Sequence, residues 1–421
     1  MPKKEYSWEE GSTIEDHSIS KHKALYEYLV RFVQALSPNP LQEKIYLDIV
    51  DGFAGGGTYK TLDGKDHPGS PIQVLRALEY AEILCNEKRK DIKKVEQFKV
   101  LGDKYFIDNS PAAINGLKRE LAFQGYGSRI DRDISIIHSK FEDTLPKLLN
   151  TFIGRKRKVI FLLDQYGYQD ATTSQVQKIF NTLGDRAEVI LTLATDSIIS
   201  YMSKDTRFKS AIKKAKLEHI ITDEIIERFK DAPEGTKKQE RIAIQYIIAN
   251  QFHKQSGARW GNSLFIKSQK SNRAYLYLHL SNNFKAREEM NQVFWNTSNE
   301  FVQDAGKGIN MFEYDPARDI QTGFDFLFDD ASGSLTIAQL EEDLEKKLAS
   351  IGHEMTFGKL LECAIETQTP AGTKHFREAI FNLKNHGIID IETPKKGERH
   401  KASSISKDDL IKPPKQVSFI F

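Results

Sequence analysis

The chain has 421 residues, 39% of them hydrophobic, with 61 basic against 59 acidic side chains and a formal charge of +2. That length supports two domains and a substantial core; the charge balance excludes nucleic-acid binding through a global field and leaves only local patches. Two cysteines, Cys85 and Cys363, argue against a disulfide framework and against a cysteine metal site, and a polar N-terminus without an apolar run near the ~18 to 20 residues of a membrane span predicts a cytoplasmic protein.

Residues 1–16 read as a loose tail. A helix follows, with Leu25, Tyr28, Leu29, Phe32 and Val33 at the spacing of a core-facing stripe, and Lys21 and Lys23 precede that stripe. Tyr46–Val50 is an apolar, β-branched run suited to a central parallel strand, and it empties into Asp51-Gly-Phe-Ala-Gly-Gly-Gly. The glycines at 55–57 allow positive φ and close approach of backbone to a ligand, although a tight strand-to-helix turn needs no more than this. Ser70 is expected to cap the next helix, with Pro71 in its first turn.

Phe98–Asp108 reads as a second strand, ending in a carboxylate where a Rossmann-like fold binds a ribose diol. Equally, Asp108-Asn-Ser-Pro111 suits a turn capping the following helix. A third strand, Ile134–His138, leads into Phe141 and Glu142; a fourth, Lys158–Leu163, ends at Asp164-Gln165-Tyr166-Gly167. Glu188–Leu193 completes an alternation of apolar strands and amphipathic helices that requires a parallel sheet.

Residues 197–250 turn helical and basic, with Lys204, Arg207, Lys209, Lys213, Lys214 and Lys216 either a solvated face or a contact for a target strand. Ser263–Gln269 and Ala274–His279 then form a hairpin closing the sheet. A Gly- and Asp-rich connector spans 303–334, and from 335 the chain reads as three helices and two strands, a winged helix in outline. Helix 373–386 turns Phe376, Ile380 and Leu383 inward and Lys374, Arg377 and Lys384 outward, and Gly387 stops it. Ile388–Ile391 and Gln416–Phe421 are expected to pair around a basic loop with Lys395, Lys396 and Arg399. Those six basic residues are the nucleic-acid candidates, although many such modules bind only proteins.

The chemistry follows from strand ends. An acidic residue followed by F-x-G-x-G resembles the first motif of S-adenosyl-L-methionine (SAM) methyltransferases, which makes Lys21, Asp51, Gly52, Phe53, Ala54, Gly55, Gly57, Asp108, Phe141 and Glu142 the cofactor candidates. Asp164, Gln165, Tyr166 and Gly167 stand where amino-methyltransferases place a D-P-P-Y type tetrad, whose carboxylate accepts from an NH2 group while the aromatic ring stacks on the base. Gln165 departs from that tetrad, since proline would stiffen the turn. His22, His67 and His138 lack metal-ligand spacing such as H-E-x-x-H, and no G-x-S-x-G elbow is present.

Taken in order, Lys21-His-Lys-Ala-Leu-Tyr-Glu-Tyr-Leu29, Asp51-Gly-Phe-Ala-Gly-Gly-Gly-Thr-Tyr59, Pro68-Gly-Ser-Pro71, Asp164-Gln-Tyr-Gly167 and Tyr275–Met290 resemble the three-Cys-motif partner protein (TcmP) family across most of the chain. The resemblance implies a SAM-methyltransferase-like fold and a C-terminal winged-helix segment. With the reading along the chain, the expected fold is α/β: a Rossmann-like methyltransferase sheet, parallel with an antiparallel edge hairpin, over 17–302 with a helical insertion at about 197–250, then a winged helix over 335–421. The resemblance further implies SAM as cofactor and a partner carrying three cysteines of radical-SAM type. The expected acceptor is a nucleobase amino group in DNA or RNA; the alternative is an inactive nucleic-acid-binding or scaffold protein that keeps the fold.

Overall fold

The structure, a computed structural model, describes residues 12–92, 96–165, 170–195, 217–218, 221–231, 237–267, 274–297, 329–365, 369–394 and 397–413, with positions 199, 213 and 233. Helix α1 (Asp16–Leu36) comes first, and its stripe is as the spacing predicts: Leu25, Tyr28, Leu29, Phe32 and Val33 are all buried. Part of the stretch read as a tail joins the fold: Ile14 donates its amide to the Lys60 carbonyl and Lys60 returns a bond to Ser12.

The sheet combines β1 (Lys44–Asp51), β4 (Lys99–Leu101), β5 (Lys104–Asp108), β6 (Ile134–His138), β7 (Lys158–Asp164), β8 (Ala187–Leu193), β9 (Trp260–Lys267) and β10 (Ala274–Ser281). Its order is β6-β5-β1-β7-β8-β10-β9, with β4 also paired to β1. β10 runs antiparallel to both of its neighbours, while the pairs from β6 to β8 are parallel. The strand read as 98–108 is therefore two. Gly102, at φ +136, breaks it, and any side chain there would run into the Leu47 carbonyl oxygen.

Strand alternation places two layers on the sheet. Leu47 and Ile49 face α1, α2 (Ser70–Glu87) and α8 (Phe284–Asn296), whereas Val50 joins the cluster formed with α4 (Phe141–Ile153), α5 (Thr173–Leu183) and α7 (Lys237–Ser256). Asp48, on the same side as Val50, is fully buried and bonded by Arg155 and Arg157. It is a structural charge in the middle of β1, on the opposite face from Asp51. Helix α3 (Pro111–Phe123) packs Leu117 and Leu121 against Phe106 and Leu75. A small hairpin not foreseen from the sequence, β2 (Thr58–Lys60) with β3 (Asp66–Pro68), fills the stretch before α2.

Only α6 (Asp223–Asp231) and α7 are defined in the expected helical insertion; of its six clustered basic residues, all but Lys213 lie outside the described residues. The connector lies outside them as far as 328. The winged helix comprises α9 (Asp330–Ile351), β11 (Met355–Thr356), α10 (Phe357–Ile365), α11 (Thr373–Asn385), β12 (Asp390–Glu392) and β13 (Leu410–Lys412). Phe376, Ile380 and Leu383 are buried, and Gly387 adopts φ +71 after α11. β12 pairs with β13 at 410–412, a strand the pattern did not mark, and β11 adds a third strand; the partner expected for 388–391, residues 416–421, lies outside the described residues. Residues 410–412 lie between Asp409 and Pro413 and include Lys412, which hides a short strand from a hydrophobic pattern.

Candidate cofactor and acceptor site

Three adjacent strands, β5, β1 and β7, end in carboxylates: Asp108, Asp51 and Asp164. The turn after β1 is stitched to both neighbours. Gly52 donates to the Leu162 carbonyl at 2.9 Å, Ala54 to the Ile107 carbonyl at 2.9 Å, and Gly55 to Asp108 Oδ2 at 2.9 Å. Gly55 and Gly57 adopt φ of +64 and +96, which is the conformational reason for glycine at both. Gly52 is needed for a different reason, since a Cβ there would meet the Phe141 ring at 2.9 Å.

Asp51 is 1% exposed. Its Oδ1 accepts from Phe53 N at 3.1 Å and its Oδ2 from Ser70 Oγ at 2.6 Å. Ser70 thus serves Asp51, and Gly69 is the N-cap of α2. Burial pushes the Asp51 carboxyl up to about 7, against the pull of those two hydrogen bonds. Asp108 takes its expected place in the turn that caps the next helix. It accepts from Gly55 on one oxygen and from Ser110 N at 2.8 Å on the other, while Ser110 caps α3 by accepting from Ala113 N.

Lys21 Nζ lies 2.6 and 2.7 Å from the two oxygens of Asp164. Lys21 was expected at the cofactor mouth; the fold sets it on the carboxylate assigned to the acceptor. Burial works against ionisation of Asp164, but the Lys21 ammonium overrides it and holds the carboxyl below its ordinary range. Together with His22, Leu25, Asp51, Ser70, Leu162, Thr192 and Tyr277, this pair lines a tight, mostly apolar recess.

Histidines that no spacing rule singles out complete the mouth. His22 Nδ1 lies 3.1 Å from His67 Nε2 with the rings stacked at 5.3 Å, and His17 stacks on Tyr275 at 4.3 Å. Burial lowers His22 to about 3 and His17 to about 4, so both are neutral near pH 7. Among the described residues, no group of three or more His, Cys, Asp or Glu could hold a metal.

Gln165 is 4% exposed, and both ends of its side-chain amide are engaged by the chain itself. Oε1 accepts from Asp170 N at 2.8 Å and Ala171 N at 2.9 Å, and Nε2 donates to the Ala171 carbonyl at 3.3 Å. Where proline would stiffen the turn, this amide ties residue 165 to Asp170 and Ala171. Tyr166 and Gly167 lie outside the described residues. Phe141 is 2% exposed and packs beneath Gly52 beside Phe53, its ring turned into the core, whereas Glu142 is exposed.

Of the basic candidates in the winged helix, Lys374 is exposed and Arg377 half-buried, its Nε lacking a partner among the described residues. Two others are spent within the wing. Lys384 Nζ donates to the Arg399 carbonyl at 3.1 Å, and Arg399 makes a two-pronged pair with Asp409 at 2.7 Å on each arm. Lys395 and Lys396 lie outside the described residues.

Strand order, the single antiparallel strand β10 and the glycine turn after β1 define a Rossmann-like fold of methyltransferase type, joined to a winged helix. Residues 313–396 match the family model of the GMT-like wHTH domain. No curated protein matches the chain. A solved spermidine synthase, in complex with the transition state analogue AdoDATO, is similar at 10% identity over 76% of this chain and 74% of that one, with a TM-score of 0.28, too loose a likeness to bear on the chemistry. Among the described residues, no helix is long and apolar enough to cross a membrane.

Proposed function

We propose that this protein is a SAM-dependent methyltransferase of the three-Cys-motif partner type, acting on an amino group of a nucleobase in DNA or RNA. The observation that carries the reading is the row of carboxylates at the ends of β5, β1 and β7 around a glycine turn with two positive φ angles. This is the crevice where open α/β sheets bind ligands. The donor set suits SAM. Buried Asp51 is available to a cationic amino group, Asp108 keeps acceptor capacity for a ribose diol, and Gly52 to Gly57 bring backbone close. When bound, SAM supplies a methyl on a sulfonium, an electrophile that needs orientation more than activation.

Asp164 accepts a hydrogen bond from the acceptor NH2 and takes the proton that the nitrogen sheds. Lys21 keeps that carboxylate ionised, and the Gln165 clamp holds the loop carrying Tyr166, the ring proposed to stack on the base. Neutral His22 and His67 exclude competing charge from the mouth. In the winged helix, Lys374, Arg377, Lys395 and Lys396 are the phosphate contacts, with Lys384 and Arg399 shaping the wing. The domain limits proposed are 17–302 and 335–421, with the partner of radical-SAM type acting in the same process.

One observation favours a second reading, a non-catalytic protein that keeps the fold: the Lys21 ammonium occupies both oxygens of Asp164, where an acceptor amine belongs. Calorimetric titration with SAM and S-adenosylhomocysteine, with Asp51→Ala as control, tests the cofactor site. Saturable binding that the variant loses, followed by labelled-methyl transfer to nucleic acid that Asp164→Ala abolishes, is the expected result. A folded protein that binds neither ligand overturns the enzyme reading.

A further inference from the structure

The first turn of α11, the helix that a DNA-reading winged helix pushes into the major groove, is held by another part of this chain. Thr373 N donates to Glu288 Oε2 at 2.8 Å, and Glu288 Oε1 accepts from Arg287 Nη1 at 2.7 Å. Arg287 Nη2 donates to the Thr369 carbonyl at 2.7 Å; Asn291 Nδ2 and Trp295 Nε1 donate to the Pro370 carbonyl at 2.8 and 2.9 Å. Every one of these donors and acceptors on the body side comes from α8. The Trp295 ring lies 4.4 Å from that of His375, and a Cβ on Gly372 would meet Asn291 Oδ1 at 2.5 Å.

A helix N-terminus presents unpaired N–H groups and a partial positive charge, the feature that receives a DNA phosphate. Here the Glu288 carboxylate takes that place. The apolar side of the joint is equally committed. Trp260, on the first residue of β9, belongs to the winged-helix core with Leu340, Phe357 and Phe376, and lies edge-on to Phe284. Undocking would leave a hole the size of an indole in that core.

We propose that α8 is the permanent docking partner of the α11 N-terminus, so that the GMT-like winged helix is locked to the Rossmann-like body and does not read a major groove with its first turn. The interaction surface is the α8 face of Arg287, Glu288, Asn291 and Trp295; its partner is the 369–375 segment of the same chain. Groove readout needs the helix N-terminus clear of other protein in a channel about 12 Å wide, and α8 stands in that space. A nucleic acid acceptor remains compatible, because single strands and phosphate contacts elsewhere need no such entry.

The experiment is hydrogen exchange of the full chain, alone and with duplex DNA of roughly two helical turns, together with the Glu288→Ala variant. The expected result is equal protection of 284–296 and 369–376, unchanged by the duplex, with both segments losing protection together in the variant while duplex affinity stays put. Faster exchange of 369–376 than of 284–296 in the native chain, or its deprotection by the duplex, overturns the proposal. A tenfold or greater gain in duplex affinity in Glu288→Ala, about 1.4 kcal/mol, also overturns it, by making the joint a releasable lock. Because exchange reads the joint itself, failure of SAM binding leaves this result interpretable.

Discussion

Asp51 carries opposed demands: it closes the β1 turn through Phe53 and Ser70, yet it is buried and raised to about 7. A carboxyl whose folded pKa lies above its unfolded value of about 3.9 contributes stability that is complete below about pH 4 and lost as pH climbs towards 7. The upper bound is on the order of 4 kcal/mol at 1.36 kcal/mol per pKa unit. Asp51→Asn should flatten the stability-versus-pH curve over that window in urea titrations. Should a cationic ligand group meet Asp51, binding must release its proton; SAM affinity is then expected to rise from pH 5 to 7 in the native protein and to be level in Asp51→Asn, read by calorimetry. Gln165→Ala should remove the only side chain that bonds both Asp170 N and Ala171 N among the described residues. Two orphaned amides cost about 1–3 kcal/mol each at most, and methyl transfer should fall while SAM binding holds. The end of β7 at Asp164 was legible in the sequence, but what Gln165 bonds was not, because its partners are backbone groups five and six residues on and carry no side-chain signature.

At the scale of elements, the strand ends and the stripe of α1 were readable because period 2 and period 3.6 leave their mark on burial. Where one glycine decides, the reading failed. Gly102 looks like a residue inside a strand and is the break between β4 and β5, pressed against the Leu47 carbonyl. Gly102→Ala should cost about 1–3 kcal/mol from its backbone conformation alone and more from the clash, seen as a lowered melting temperature; an unshifted melt would show that β1 and β4 can part there. α1 crosses the site end of the sheet with Lys21 and the far end with Tyr28, which hydrogen-bonds Glu188 beside His279. Lys21→Met should cost about 1.5–3 kcal/mol, the range for a hydrogen bond to a charged group, towards the lower end because Asp164 keeps 38% of its side chain exposed. Equilibrium unfolding measures it.

For the whole molecule, the joint between the two modules governs cooperativity. Trp260 starts a body strand and ends in the winged-helix core, so Trp260→Ala should cost about 3–5 kcal/mol and split one calorimetric unfolding transition into two. A single transition at lower temperature would mean that α8 alone couples the modules. The sequence by itself determined the main parallel strands and the helices between them, the carboxylates at three strand ends and the helices of the winged-helix outline, because local period is a property of neighbouring residues. The tertiary structure alone decided that Lys21 lies on Asp164 across 143 residues, that Glu288 caps α11 across 85, and that β12 pairs with β13. Such contacts are set by which faces the packed sheet brings together, and at that separation chain connectivity imposes no spacing for a sequence to record.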